Sequence, residues 1–294
     1  MKKYFTAIGW TLLYLLIFIV VQTVVTVGAT IVILAQHPEV LAAGMEGAIA
    51  ESTSLMMQYG VYIAGISAAI LIPLILLLKP SGVTLKEGFG LRRAEWRNIA
   101  CTVLVSFGIY LLIGVVMGVI PWPEPWVQQH GMSTDSVIGD SLWINLLFTG
   151  LLVPVMEELL FRGGIYGAMK RGMPTAAALL LQAAVFGLMH FNPIQFVYAF
   201  FLGLVMGLLL ERTRSIWVPV TVHIMMNGGS ILLSSVGEER YAQWMEQPYV
   251  GIAVLTGCIL FAILGIAGLY FFNRPGAKGP GREEYGEFGR LTRI

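Results

Sequence analysis

Stretches of about twenty residues with almost no charge recur along the whole chain. A bilayer core offers no water to backbone N–H and C=O groups, so such stretches must satisfy those groups internally, as helices. The runs fall at roughly 5–35, 55–78, 99–120, 141–171, 174–191, 194–211, 215–235 and 249–272. Asn192-Pro193 separates the fifth from the sixth, because proline disfavours helical geometry in the residue before it. Charged residues are 12% of the chain, against about 25% in a soluble domain. The expected fold is all-α: a polytopic helical membrane protein with about eight transmembrane helices. Its expected parts are 1–139, N-terminal helices and loops; 140–236, a core; 237–272, a last span; and 273–294, a disordered cytoplasmic tail rich in Gly and charge.

Charge placement orients the chain. Lys2 and Lys3 precede an apolar run that continues past residue 30, longer than a signal peptide core, so the first span is expected to be retained. With the amino terminus in the cytoplasm and spans alternating, 17 of the 18 Lys and Arg residues fall inside, Arg162 among them, and Arg240 alone falls outside. Both termini are then cytoplasmic. Outer loops carry Glu39, Glu46, Glu51, Glu124, Asp135, Asp140, Glu238, Glu239 and Glu246. The seven tryptophans, Trp244 included, lie near span ends, as an interfacial belt requires. Pro121 to Trp126 reads as a stiff outer turn, and His37 and His130 as solvated loop residues. No basic patch with interleaved aromatics is present, so nucleic acid is not an expected partner. Cys101 and Cys258 lie in apolar spans and read as inert small residues.

A few polar residues do not belong in hydrocarbon. Glu157 and Glu158 stand side by side in the fourth run, where each ionisable group costs roughly 2.5–3.5 kcal/mol on insertion scales. Arg162 is four residues after Glu158, so the two share a helix face and can pair; Glu157 points about 100° away with no partner in sequence. His190 ends the fifth run, four residues after Phe186, and His223 and Asn227 share one face of the seventh. Depth groups them. Glu157 lies fifteen residues before the turn near Gly172 and His190 eighteen after it, both roughly 23–27 Å away. His223 and Asn227 follow the turn near Thr213 by ten and fourteen residues, roughly 15–21 Å.

This set suits hydrolysis. A carboxylate withdrawn from water beside a like charge is a better base than one in solution. Imidazole can position water, and a His/Asn pair can donate to an oxyanion. Glu157, His190 and His223 could instead hold Zn2+, although the H-E-x-x-H helix is absent. No Gly-x-Ser-x-Gly elbow accompanies Ser230, Ser234 or Ser235, which read as packing residues.

Glu157-Glu158-x-x-x-Arg162, Phe186-x-x-x-His190 and His223-x-x-x-Asn227, in this order, resemble the CPBP intramembrane proteases, also called Abi. That family includes type II CAAX prenyl endopeptidases and bacteriocin-processing or immunity proteins. The resemblance covers about 140–236 and implies a catalytic core in which Glu157 activates water, Glu158 pairs with Arg162, His190 assists, and His223 with Asn227 form the oxyanion site. The implied substrate is a peptide or membrane-associated protein, in the plasma (inner) membrane of a prokaryote. Two other readings stand beside it: a non-enzymatic peptide-binding or bacteriocin immunity protein, and a proton-coupled transporter using the Glu pair as a relay.

Overall fold

The computed structural model describes residues 2–42, 44–79, 83–236, 243 and 247–273. They form helices α1 (Lys2–Gln36), α2 (Pro38–Ala42), α3 (Gly44–Leu77), α4 (Leu85–Gly88), α5 (Trp96–Val119), α6 (Glu124–Asp135), α7 (Leu142–Gly172), α8 (Thr175–Leu188), α9 (Pro193–Thr213), α10 (Trp217–Val236) and α11 (Pro248–Phe272). No strand occurs among the described residues. All eight apolar runs fall on helices, and six of these helices are long and apolar enough to cross a membrane: α1, α3, α5, α7, α9 and α11. The other two runs depart from that pattern. α8 has only 14 residues, and α10, with 20, is diluted by His223, Asn227 and several Gly and Ser residues.

Helix α7 is the centre of the packing. Residues Leu159–Tyr166 are all buried, and the core around them gathers Tyr14 of α1, Leu71 and Ile75 of α3, Phe89, Phe186 of α8 and Met206 of α9. Small residues on α7 let these neighbours approach. A Cβ at Gly163 would meet the Phe89 ring at 2.4 Å, and one at Gly164 the Tyr14 ring at 3.0 Å. The Tyr14 hydroxyl in turn donates to the Leu78 carbonyl at 2.5 Å, tying α1 to the end of α3. α7 is not uniformly α-helical: Phe148–Leu152 and Leu159–Tyr166 are π-helical. The six residues between them, Val153–Glu158, end in the Glu pair. π-Helical turns are rare and concentrate at functional sites.

α8 and α9 form a tight antiparallel hairpin. Asn192 is extended (φ −132°, ψ 125°), and its side chain accepts a hydrogen bond from the Gln195 N–H at 3.0 Å, capping α9. The boundary read at Asn192-Pro193 is therefore a true N-cap. Gly203 and Gly207, one turn apart on α9, face Ala183 and Leu179 on α8 at 3.2 and 2.7 Å from an added Cβ. This is the small-x-x-x-small spacing that lets membrane helices pack closely. Gln182, buried, donates to the Gly203 carbonyl at 2.9 Å across the same contact. α11 packs mainly on α5, where Asn98 and Asn273 pair through their amides at 2.8 Å.

The structure changes several loop readings. Pro121–Trp126 is not only a turn: Glu124 opens the surface helix α6, with proline in its first turn, where the missing N–H costs nothing. Arg162 is fully buried, so it carries no information about orientation. Arg240, Glu238, Glu239, Trp244, Glu246 and the tail from 274 lie outside the described residues.

Gly203→Val should drive α9 from α8 and displace Phe186, at about 1–3 kcal/mol, the cost of overpacking a filled interface. Gly9→Ala, where nothing lies within 4 Å, should be close to neutral. Unfolding of both variants in detergent checks this.

Candidate active site

The buried pair comes first. Arg162 Nη1 donates to Glu158 Oε1 at 2.8 Å, and both side chains are 0% exposed. The face of the guanidinium lies over the Phe186 ring, 4.1 Å from its centroid. Desolvated charges need compensation of this kind. Phe186 is thus a platform: its ring also meets Phe161 at 5.0 Å, His190 at 5.0 Å and His223 at 5.8 Å, all edge-on.

His223 of α10 lies between the two carboxylates. Its Nδ1 is 2.8 Å from Glu158 Oε1, and its Nε2 is 3.5 Å from Glu157 Oε2. With Glu158 anionic against Arg162, Nδ1 carries the proton and donates to it, which leaves Nε2 addressing Glu157. A line of contacts therefore runs Arg162, Glu158, His223, Glu157. Sequence spacing gave Glu157 no partner; the partner comes from another helix. His190 is oriented separately: Nδ1 lies 2.8 Å from the Phe186 carbonyl. A carbonyl only accepts, so Nδ1–H donates and Nε2 is left as the acceptor of a neutral ring.

Asn227 is committed to the backbone of α7. In the π-helical turn the Val153 N–H bonds to the Phe148 carbonyl, five residues back. The next carbonyl, Thr149, would need the N–H of residue 154, which is proline and has none. Asn227 Nδ2 fills that gap, donating to the Thr149 carbonyl at 3.1 Å. The Asn227 amide has a second N–H, and the side chain borders the cavity.

That cavity has a volume of about 900 Å³. Glu157, 19% exposed, lines it with Phe186, His190, His223 and Asn227, while Glu158 and Arg162 lie behind its wall. Ile113, Met117, Val153 and Leu202 give it apolar sides. Its far end is built from α6. There the sequence reading of His130 is corrected: the residue is half-buried, lines the cavity and sets its ring 6.0 Å from Tyr198. Burial pushes the His130 imidazole below its ordinary pKa. Tyr198 and Gln195 of α9 line the cavity as well. No spacing rule points to His130, because α6 reaches the cavity only through the tertiary fold. His37, by contrast, pairs locally with Glu39 at 3.0 Å.

Among the described residues no group of three or more His, Cys, Asp or Glu side chains is arranged to hold a metal ion. Glu157, His190 and His223 are not brought together as such a group.

Residues 139–229 match the family model described as type II CAAX prenyl endopeptidase Rce1-like. That segment, about a third of the chain, is similar to this family. The matched segment runs from the turn before α7 to the middle of α10 and contains every residue of the three motifs. Two curated bacterial proteins are similar at 23% identity. One is "Putative membrane peptidase YdiL" of Bacillus subtilis, over 57% of this chain and 69% of that protein. The other is "Membrane-embedded CAAX protease MroQ" of Staphylococcus aureus, over 49% of this chain and 62% of that protein. "UPF0177 protein YajF" of Lactococcus lactis is 28% identical over 41% of this chain and 61% of its own length. No solved structure matches the chain significantly.

The Asn227 geometry makes a specific prediction. Asn227→Ala leaves the Thr149 carbonyl unpaired, at about 1–3 kcal/mol. Pro154→Ala restores an N–H at the position where that carbonyl needs one. Unfolding of Asn227→Ala, Pro154→Ala and the double variant should therefore show the double variant more stable than Asn227→Ala alone. Arg162→Ala strands a buried carboxylate, at about 3–5 kcal/mol, and should lower folding yield as well as activity; expression and melting measurements check this.

Proposed function

We propose that this chain is a membrane-embedded endopeptidase in which Glu157 activates water against a peptide bond held in the cavity. The observation that carries the reading is the division of labour between the two carboxylates. Glu158 is sealed behind the wall with its Oε1 held by Arg162 and His223, whereas Glu157 borders the cavity. The Rce1-like segment and the peptidase names of two relatives support the same chemistry.

In the proposed reaction Glu157 takes a proton from water as the oxygen attacks the scissile carbonyl. The carbon–oxygen π bond opens to an oxyanion, which the free N–H of Asn227 meets. Glu157 then returns the proton to the departing amine, and the C–N bond breaks to give a carboxylate and an amine. His223, oriented through Nδ1 by Glu158, presents Nε2 to accept from Glu157 once that carboxyl has taken the proton. His190 presents Nε2 to the same space and can hold the water. The substrate is a peptide or a membrane-associated protein, and the setting is the plasma membrane of a prokaryote, with the Lys/Arg-rich ends of the helices in the cytoplasm.

Glu157→Gln keeps the shape of the side chain and removes the base. It should fold as wild type and lose at least about 10²-fold in turnover. Newly formed peptide termini in membranes carrying wild type or Glu157→Gln, compared by mass spectrometry, provide the readout whichever protein is cleaved. Equal sets of termini would favour a peptide-binding role.

A further inference from the structure

The hairpin of α8 and α9 stops part-way up the molecule. Phe186 meets Phe161 ring to ring, so α8 is level with α7 there, and His190 is level with Glu157 one turn on. The chain then reverses at His190–Asn192. Phe191 takes a left-handed conformation (φ 51°) to do so. α7 continues fifteen residues beyond Glu157, to Leu142, and α10 thirteen residues beyond His223, to Val236. Each extends roughly 20 Å past the hairpin tip. The space above the tip is the cavity. It is roofed by α6, whose Gln129 side chain donates to the Phe191 carbonyl at 3.1 Å and whose His130 meets Tyr198. Below the tip, Glu158, Arg162, Phe161, Leu160 and Ile165 are packed and buried.

The two ends of the molecule differ in charge. Lys2, Lys3, Lys79, Lys86, Arg92, Arg93, Arg97, Lys170, Arg171, Arg212 and Arg214 all lie at or beyond the helix ends remote from α6. Among the described residues, the ends and loops on the α6 side carry acidic side chains, Glu39, Glu124, Asp135 and Asp140, and no Lys or Arg. Loops rich in Lys and Arg stay in the cytoplasm.

We propose that the cavity opens away from the cytoplasm and accepts extended peptide segments presented from the outer face of the bilayer. Its volume lies within the usual range for a ligand pocket and suits a short run of chain rather than a folded domain. Its sides are apolar, and its α6 end is lined by Ser133 and Thr134 rather than by Lys, Arg, Asp or Glu. A C-terminal tail waiting in the cytosol does not reach Glu157 by this route. The substrate assignment rests on the peptidase reading, but the direction of access does not, and the test needs no cleavage.

Single cysteines are introduced at Thr134 on α6, at Gln195 in the cavity and at Arg93 at the opposite end. Wild type, whose Cys101 and Cys258 both lie within membrane helices, serves as the blank. Intact spheroplasts are treated with a membrane-impermeant maleimide for Thr134→Cys and Arg93→Cys, and with a small cationic methanethiosulfonate for Gln195→Cys. Thr134→Cys and Gln195→Cys should react in intact spheroplasts, and Arg93→Cys only after lysis, with at least a tenfold contrast in each case. Labelling of Thr134→Cys only after lysis overturns the orientation. Failure of Gln195→Cys to react from outside, while it reacts after denaturation, overturns the opening. The same pattern is expected in a Glu157→Gln background, so a failed peptidase reading leaves this result standing.

Discussion

A guanidinium sealed among apolar side chains is stable only against an anion, and Arg162 finds Glu158 on its own helix at 2.8 Å. Much of the site is arranged around that contact. It fixes Glu158 as an acceptor, Glu158 fixes the proton of His223 on Nδ1, and His223 turns its other nitrogen to Glu157. Phe186 covers the guanidinium face and, through its edge contacts, sets the level of both histidines. The Phe in the second motif is thus a structural counterpart of the Arg in the first.

Proline and the π-helical turns of α7 play a second structural part. A regular helix would have used every carbonyl of α7 internally. The turn at Phe148–Leu152 followed by Pro154 leaves the Thr149 carbonyl without a backbone donor. Asn227 supplies it from α10, so one side chain both docks two helices and keeps an N–H at the cavity. A fault in the backbone ladder becomes a point of attachment.

The cavity itself results from unequal helix lengths. The α8–α9 hairpin is drawn close by Gly203 and Gly207 and ends at the depth of Glu157, while α7 and α10 run on. The surface helix α6 borders the outer end of that space and brings His130 over Tyr198. Water, apolar walls and a carboxylate can then coexist at a depth where hydrocarbon alone would exclude the charge.

The sequence by itself determined the helices, because long uncharged runs in lipid have no other way to satisfy their backbone. It also determined the Glu158–Arg162 pair, because four residues is one helical turn, and the helix boundary at Asn192, because proline follows it. Common depth suggested that Glu157, His190, His223 and Asn227 share a layer, and the structure brings all four to one cavity. Which atoms meet was decided only by the tertiary structure. Spacing paired His223 with Asn227, whereas the fold sets His223 between two carboxylates and Asn227 on a carbonyl orphaned by Pro154. α6 read as a turn and His130 as solvated, since a short amphipathic helix has no address until the hairpin beneath it leaves a gap. Local rules fix what a residue can do for its own helix. Contacts between helices depend on lengths, levels and rotations that no single stretch of sequence contains.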